Sequence, residues 1–387
     1  MKKILYVCNH MPNNLGAGGI LYENIIRDYG LENFSFISVS YKNDFAHVPK
    51  DFQGRPIKQF SLRFGNNSLF FKILKKLPII ESLFIIIKYL FLKKDIIKYI
   101  QAQKFDIIFA PLRGEVLLIL NDILKTSKRP LYAMVEDTVE REIDDHRLIY
   151  GYKRKNYYKL LPMVQKLAVA GETMQGYFKS NFNIDATILR PSFSNFSQKS
   201  NKKINECMNI LFAGNIYANK EMKYFLQSLL FFASTNKNIK VNYFIAAHRS
   251  FKVQSDLISI INIGWVKEDL LNQYIEKCHI AYLPYKSEHK FMHSMKYAFP
   301  AKAGFYISKK LPIFFHGPSY SSFNTFLSKY EVGISCDSFD PKVLSNKLTR
   351  FVSDPSFYLK CQRECQRAYE VEYDNKIFSK RVQKFFA

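Results

Sequence analysis

Short apolar runs recur along the whole chain, each followed by a segment of helical length, and this alternation leaves few folds open. Ile4–Cys8, Phe34–Ser40, Phe105–Ala110, Pro130–Val135, Leu167–Ala170 and Thr187–Leu189 read as strands in the first half. Asn209–Ala213, Val241–Ala247, Ile260–Ile263, Ile280–Leu283 and Ile313–Phe315 do so in the second. Runs this apolar suit strands covered on both faces, so the pattern predicts parallel sheets with right-handed crossovers. The polar stretch Asn195–Glu206 divides the two halves, and 387 residues exceed one ordinary core. The expected fold class is α/β, with two Rossmann-like domains facing a cleft. The first spans 1–195, a linker 196–206 and the second domain 207–370. A basic, aromatic helix in 371–387 is expected to pack back on the first domain.

The stretch Met295–Pro318, MKYAFPAKAGFYISKKLPIFFHGP, carries the clearest local signals. Ala298, Phe299 and Pro300 approach in extended form, Ala301–Lys310 reads as a helix opened by proline, and Leu311 with Pro312 ends it. A helix N-terminus gathers unbonded N–H groups and positive dipole, so Ala301, Lys302 and Ala303 offer a seat for phosphate oxygens. The same residues equally describe an ordinary βα crossover. In the first half, Ile4–Cys8 leads into NHMPNNLGAGG, a loop ending at Gly18 and Gly19 before a helix from Leu21 to Tyr29. Glycine there lets backbone approach a ligand closely, although the spacing is not that of a dinucleotide fingerprint and a plain turn accounts for it too.

Lysine and arginine number 57 against 33 aspartate and glutamate, a net charge of +24, which points to anionic partners. Six scattered cysteines show no C-x-x-C or zinc spacing and read as reduced thiols. Only five apolar residues, Ile4–Cys8, follow Lys2 and Lys3, too few for a signal peptide, so a cytoplasmic location is expected. Leu69–Gln103 is apolar but interrupted by Lys72, Lys75, Lys76, Lys88, Lys93, Lys94 and Lys98. Spanning a bilayer takes about 20 mostly uncharged apolar residues. The segment suits either a helix lying in an anionic membrane surface or a pair of helices packed on the sheet with lysines reaching solvent.

Acid concentrates in EDTVEREIDDH, Glu136–His146, just after a strand, where open α/β sheets hold their ligands. Glu136 and Asp137 lie nearest the strand end and are the candidates to accept a proton from an attacking hydroxyl. Glu140, Glu142, Asp144 and Asp145 suit a solvated helical face. No D-x-D occurs to chelate a nucleotide-bound divalent ion, so no metal and no cofactor are expected.

NILFAGNIYANK (Asn209–Lys220), INIGWVKEDLLNQYIEKCHIAYLPY (Ile261–Tyr285) and AFPAKAGFYISKKLPI (Ala298–Ile313) together resemble the GT-B glycosyltransferases, in particular the retaining family four type. The likeness covers the second half and thins over the first to the GAGG loop and strand order. It implies a nucleotide-sugar donor whose diphosphate is held at Gly214, Asn215 and Lys220. Trp265 and Val266 would meet the nucleobase, Tyr285 would line the site, and Pro300, Ala301 and Lys302 would cover the phosphates. This chain departs from the family at several points. Asn215 stands where arginine is usual, Phe305 and Tyr297 stand where two glutamates are usual, and Glu136 or Asp137 replaces a histidine.

The expected function is metal-independent transfer of a sugar, with retention, from a nucleotide-activated donor to a surface polysaccharide or lipid-linked glycan. The catalytic candidates are Asp137, Glu136 and Lys220. Expected partners are the nucleotide sugar, the glycan acceptor and an anionic membrane surface met through 69–103, with no nucleic acid. One rival is a non-catalytic GT-B scaffold of a polysaccharide assembly complex, favoured by the missing carboxylates and opposed by Lys220, Gly214 and Ala298–Lys302. The other is a nucleic-acid binder, suggested by charge but lacking any recognisable module.

Overall fold

A computed structural model of the chain describes residues 1–12, 17–39, 48–62, 77–140, 147–193, 196, 204–250, 255–266 and 268–387. The expected loop positions 13–16, the front of the lysine-interrupted segment, Glu142, Asp144 and Asp145, and most of the expected linker lie outside these residues. The chain forms two compact units, Met1–Pro191 with Phe378–Ala387, and Ser192–Ile377.

The first unit holds a parallel sheet of seven strands: β1 (Ile4–Cys8), β2 (Phe34–Ser38), β3 (Ile57–Gln59), β4 (Ile107–Pro111), β5 (Leu131–Val135), β6 (Val164–Val169) and β7 (Ala186–Ile188). Their order is β3-β2-β1-β4-β5-β6-β7, and Ile4 pairs with Phe34 on one side and Ile107 on the other. β1, β4 and β5 are buried at every residue, which is why they read as unbroken apolar runs. The helices are α1 (Ala17–Tyr29), α2 (Lys50–Gln53), α3 (Pro78–Gln101), α4 (Val116–Ser127), α5 (Arg147–Leu160) and α6 (Glu172–Phe182).

The second unit holds six parallel strands, β8 (Cys207–Ala213), β9 (Lys240–Ala246), β10 (Ile258–Asn262), β11 (Ile280–Pro284), β12 (Ile313–His316) and β13 (Gly333–Cys336), in the order β10-β9-β8-β11-β12-β13. Its helices are α7 (Asn219–Thr235), α8 (Glu268–Ile275), α9 (Met292–Tyr297), α10 (Ala301–Ser308), α11 (Ser322–Lys329), α12 (Pro341–Ser353) and α13 (Pro355–Ala368). Asp340 and Asp354 cap α12 and α13 by accepting the N–H of Lys342 (2.8 Å) and Phe357 (2.9 Å), each with proline in the next position.

After a π-turn at Tyr369–Tyr373, α14 (Asn375–Phe386) ends in the first unit's core. The Phe386 ring lies 4.8 Å from Tyr29 and 5.3 Å from Phe109. In each sheet the first strand is flanked by its successors on both sides, so the strand order reverses at β1/β4 and at β8/β11. Ligands of open α/β sheets bind beyond the carboxyl ends at such a point.

Candidate functional site

At the carboxyl end of β8 the chain turns through Gly214, whose φ of +111° favours glycine. Its N–H donates to the Ala246 carbonyl at 2.8 Å, holding the turn against β9. A Cβ at Gly214 would sit 2.6 Å from Lys302 Cε and 2.9 Å from its Nζ. The missing side chain is therefore the space through which Lys302 passes. Lys302 lies in the first turn of α10, and its ammonium donates to the Asn215 carbonyl (3.2 Å) and stands over the rings of Phe212 (4.5 Å) and Tyr217 (5.6 Å). Burial pushes this ammonium down from the ordinary 10.5 to about 7.

The seat is braced from β11. Tyr217 donates to the Pro284 carbonyl at 2.9 Å, and the Tyr306 hydroxyl accepts the Ala213 N–H at 2.9 Å. Tyr285, expected to meet the donor, is buried and donates instead to the Ala298 carbonyl at 3.1 Å, where it props the approach to α10. Pro300 precedes the helix rather than opening it, and the first intrahelical bond closes from the Ala303 N–H to the Pro300 carbonyl at 2.9 Å. The N–H groups of Ala301 and Lys302 precede that bond and lie at the positive end of the dipole. The helix stops at Ser308, two residues early, because Lys310 takes a left-handed φ of +57°.

Lys220 enters α7 as its second residue, and its exposed ammonium stands 4.0 Å from the centre of the Phe339 ring. Lys302 is the cation packed against Gly214. The next residue, Glu221, is buried and accepts the Ser287 N–H at 2.8 Å, tying α7 to the segment after β11. Beyond β9 and β10, His248 stacks on Trp265 with ring centres 4.3 Å apart and planes within 5°, leaving Trp265 44% exposed. Val266 is half-buried beside it, and the side chain of Asn215 is exposed while its carbonyl holds Lys302. Phe305 packs into the apolar core below α10, 6.2 Å from the Phe193 ring, and Tyr297 meets His293 at 4.8 Å.

In the first unit, Gly18 and Gly19 belong to the first turn of α1 and not to a loop, since the helix starts at Ala17. A Cβ on Gly18 would lie 3.0 Å and 3.1 Å from the carboxylate oxygens of Glu136. That close approach brings Glu136 to the head of α1, where the dipole favours negative charge. Arg113 Nη1 pairs with Glu136 Oε2 at 2.8 Å. Burial raises the Glu136 carboxyl above its usual value, Arg113 opposes the rise, and the neighbouring Asp137 adds to it. Asn9 fixes the base of the group at the β1/β4 reversal, donating to the Arg113 carbonyl (3.0 Å) and accepting the Val116 N–H (3.0 Å). Glu140 is not on an open solvated face; it accepts the Tyr158 hydroxyl at 2.9 Å.

Sequence reasoning did not find Arg113, Asn9, His248 or Tyr217. Arg113 and His248 stand within two residues of a strand's carboxyl end, which is the signal that was available for them. Among the described residues no group of three or more His, Cys, Asp or Glu is placed to hold a metal ion.

No protein family profile and no curated protein matches the chain by sequence. Solved structures match it along its full length. Anabaena Alr3699/HepE in complex with UDP-glucose aligns with TM-score 0.64 at 11% identity, over 100% of this chain and 99% of the other. The lipopolysaccharide outer core galactosyltransferase WaaB, in apo form, aligns with TM-score 0.60 at 11% identity, over 99% of both chains. A putative UDP-N-acetylglucosamine 2-epimerase from Listeria monocytogenes aligns with TM-score 0.58 at 7% identity, over 99% of this chain and 95% of the other. The chain has the GT-B fold of glycosyltransferases. Because the same fold is matched by the Listeria epimerase structure, activity has to be argued from the site.

Proposed function

We propose that the protein transfers a sugar from a nucleotide-activated donor to a surface polysaccharide or lipid-linked glycan, without a metal ion. The observation that supports this reading is the Lys302 seat: a cation held at a helix N-terminus, at the β8/β11 reversal, against a glycine whose missing side chain lets the lysine reach the strand end. Breaking the donor's glycosidic bond to phosphate leaves a growing negative charge on the departing diphosphate. Lys302 and the first N–H groups of α10 stabilise that charge from fixed positions, and Lys220 adds a second cation on the same carboxyl edge. Trp265, presented by its stack on His248, supplies an aromatic face for the nucleobase. Uridine is the base to try first, because the Anabaena structure holds UDP-glucose.

Retention follows if the departing phosphate itself takes the acceptor's proton. Glu136, held by Arg113, then orients the acceptor hydroxyl. An inverted product, read from the anomeric proton by NMR, would instead make Glu136 the base of a direct displacement. The primary test is a thermal-shift series with nucleoside diphosphates, monophosphates and UDP-glucose, since a ligand of the folded state raises stability by mass action. No shift with any diphosphate would overturn the reading. Diphosphate binding without donor turnover would favour a binding protein, consistent with Phe305 in place of a carboxylate.

A further inference from the structure

Helix α3 buries one side and leaves the other bare. Ser82, Ile85, Tyr89, Ile96 and Ile100 face inward against α4 and α5. Tyr89 donates to Asp122 of α4, and Lys93 pairs with the same carboxylate at 3.1 Å. The opposite side of the first four turns is apolar: Ile80, Leu83, Ile87, Leu90 and Phe91 are 49%, 48%, 50%, 59% and 79% exposed. Further along the same side the helix turns polar at Lys94 and Lys98, both exposed, with Lys88 on the flank over the Phe84 ring. The neighbouring α5 adds Leu148 (48% exposed) and Tyr152 (40%) between the exposed Arg147 and Arg154.

Isolated exposed apolar side chains are ordinary, but a continuous strip with a basic border marks a binding surface. No described helix is long and apolar enough to cross a membrane. We propose that this face of α3, continued by α5, seats the protein on the surface of an anionic lipid bilayer. Leu83, Ile87, Leu90 and Phe91 enter the acyl boundary, and Lys88, Lys94, Arg147 and Arg154 meet the headgroups. A second copy of the chain is the poorer occupant. Pairing two such faces would bring their basic borders together in a protein already at +24, whereas anionic headgroups neutralise them.

The test is co-sedimentation of the full chain with phosphatidylcholine vesicles, with and without phosphatidylglycerol. Binding should require phosphatidylglycerol and weaken about tenfold as salt rises from about 0.05 to about 0.5 M. Leu83→Glu with Phe91→Glu should weaken it about a hundredfold, because two exposed side chains lose their apolar burial. Lys88→Gln with Lys94→Gln leaves the apolar strip intact, so it should reduce the preference for phosphatidylglycerol even if the glutamate variant fails to fold. Equal binding to both vesicle types, an unaltered glutamate variant, or a dimer abolished by that variant with no vesicle binding would each overturn the proposal. Nucleotide thermal shifts on the same variants read the second unit separately, so failure here is distinguishable from failure of the transferase reading.

Discussion

Replacing Lys302 with methionine should weaken nucleotide binding and strengthen the fold at once. Methionine keeps the length and apolar stem that pass Gly214 but removes the ammonium. Lowering a lysine from 10.5 to about 7 costs the folded state at most about 4 kcal/mol at pH 7, at about 1.36 kcal/mol per decade of proton affinity. Solvent reaching the half-buried side chain reduces this, and a gain of about 1–2 kcal/mol is expected.

The unfolded lysine stays protonated to about pH 10.4, whereas the folded one loses its proton above about 7. Between these values the unfolded wild type binds more protons, so wild-type stability rises with pH and the advantage of the variant shrinks. Diphosphate affinity should fall by about 1.5–3 kcal/mol, roughly tenfold to over a hundredfold. Wild-type affinity should itself weaken as pH rises past about 7, because the bound anion needs the protonated form. Urea unfolding at pH 7 and 10, with calorimetric titration of UDP, reads all of this. A folded variant that binds UDP unchanged, or one less stable than wild type at pH 7, would refute the argument.

Lys220→Ala, removing an exposed cation that rests on Phe339, should cost less than tenfold in the same titration; a larger loss would make Lys220 the principal phosphate ligand. Gly214→Ala places a Cβ 2.6 Å from Lys302 Cε at φ +111°, so it should destabilise by more than about 1 kcal/mol in urea and lose UDP affinity together. Glu136→Gln should leave UDP thermal shifts unchanged while lowering transfer about a hundredfold or more, and unchanged turnover would remove Glu136 from the catalytic group. A 2′-deoxy nucleotide should bind within about 1 kcal/mol of its ribo counterpart, since Phe305 offers no acceptor for ribose; a hundredfold loss in titration would show another side chain in that role.

Strands buried on both faces were legible because their residues are apolar without interruption, as in Leu131–Val135 and Ile280–Pro284. The two missed strands are sheet edges. β3 is three residues with a lysine in the middle, and β13 contains glycine and serine. Burial on fewer sides removes the continuous apolar signal. The extended approach and helix start at Pro300–Lys302 were legible, but which lysine packs against Gly214 was not. Which cation lies against Gly214 depends on contacts between residues about ninety positions apart. Tyr285 misled for a related reason, since its position at a strand end is that of a ligand contact while its hydroxyl is spent inside on Ala298.

The two candidate groups share one construction. In each unit a glycine beside the strand-order reversal gives up its side chain so that a charged group from another element can lie at the mouth of a helix: Glu136 beside Gly18 at the head of α1, Lys302 beside Gly214 at the head of α10. The helix dipole acts oppositely on the two. At α1 it favours the carboxylate and, with Arg113, counters the cost of burial, so Glu136 is held as a paired charge. At α10 the dipole opposes the ammonium, which donates to the Asn215 carbonyl. Lys302 is therefore a cation held at a disadvantage, and under the proposed function a bound diphosphate would relieve that disadvantage. The free energy stored against the folded state is available in part to hold the ligand, which ties the stability gain of Lys302→Met to its loss of affinity.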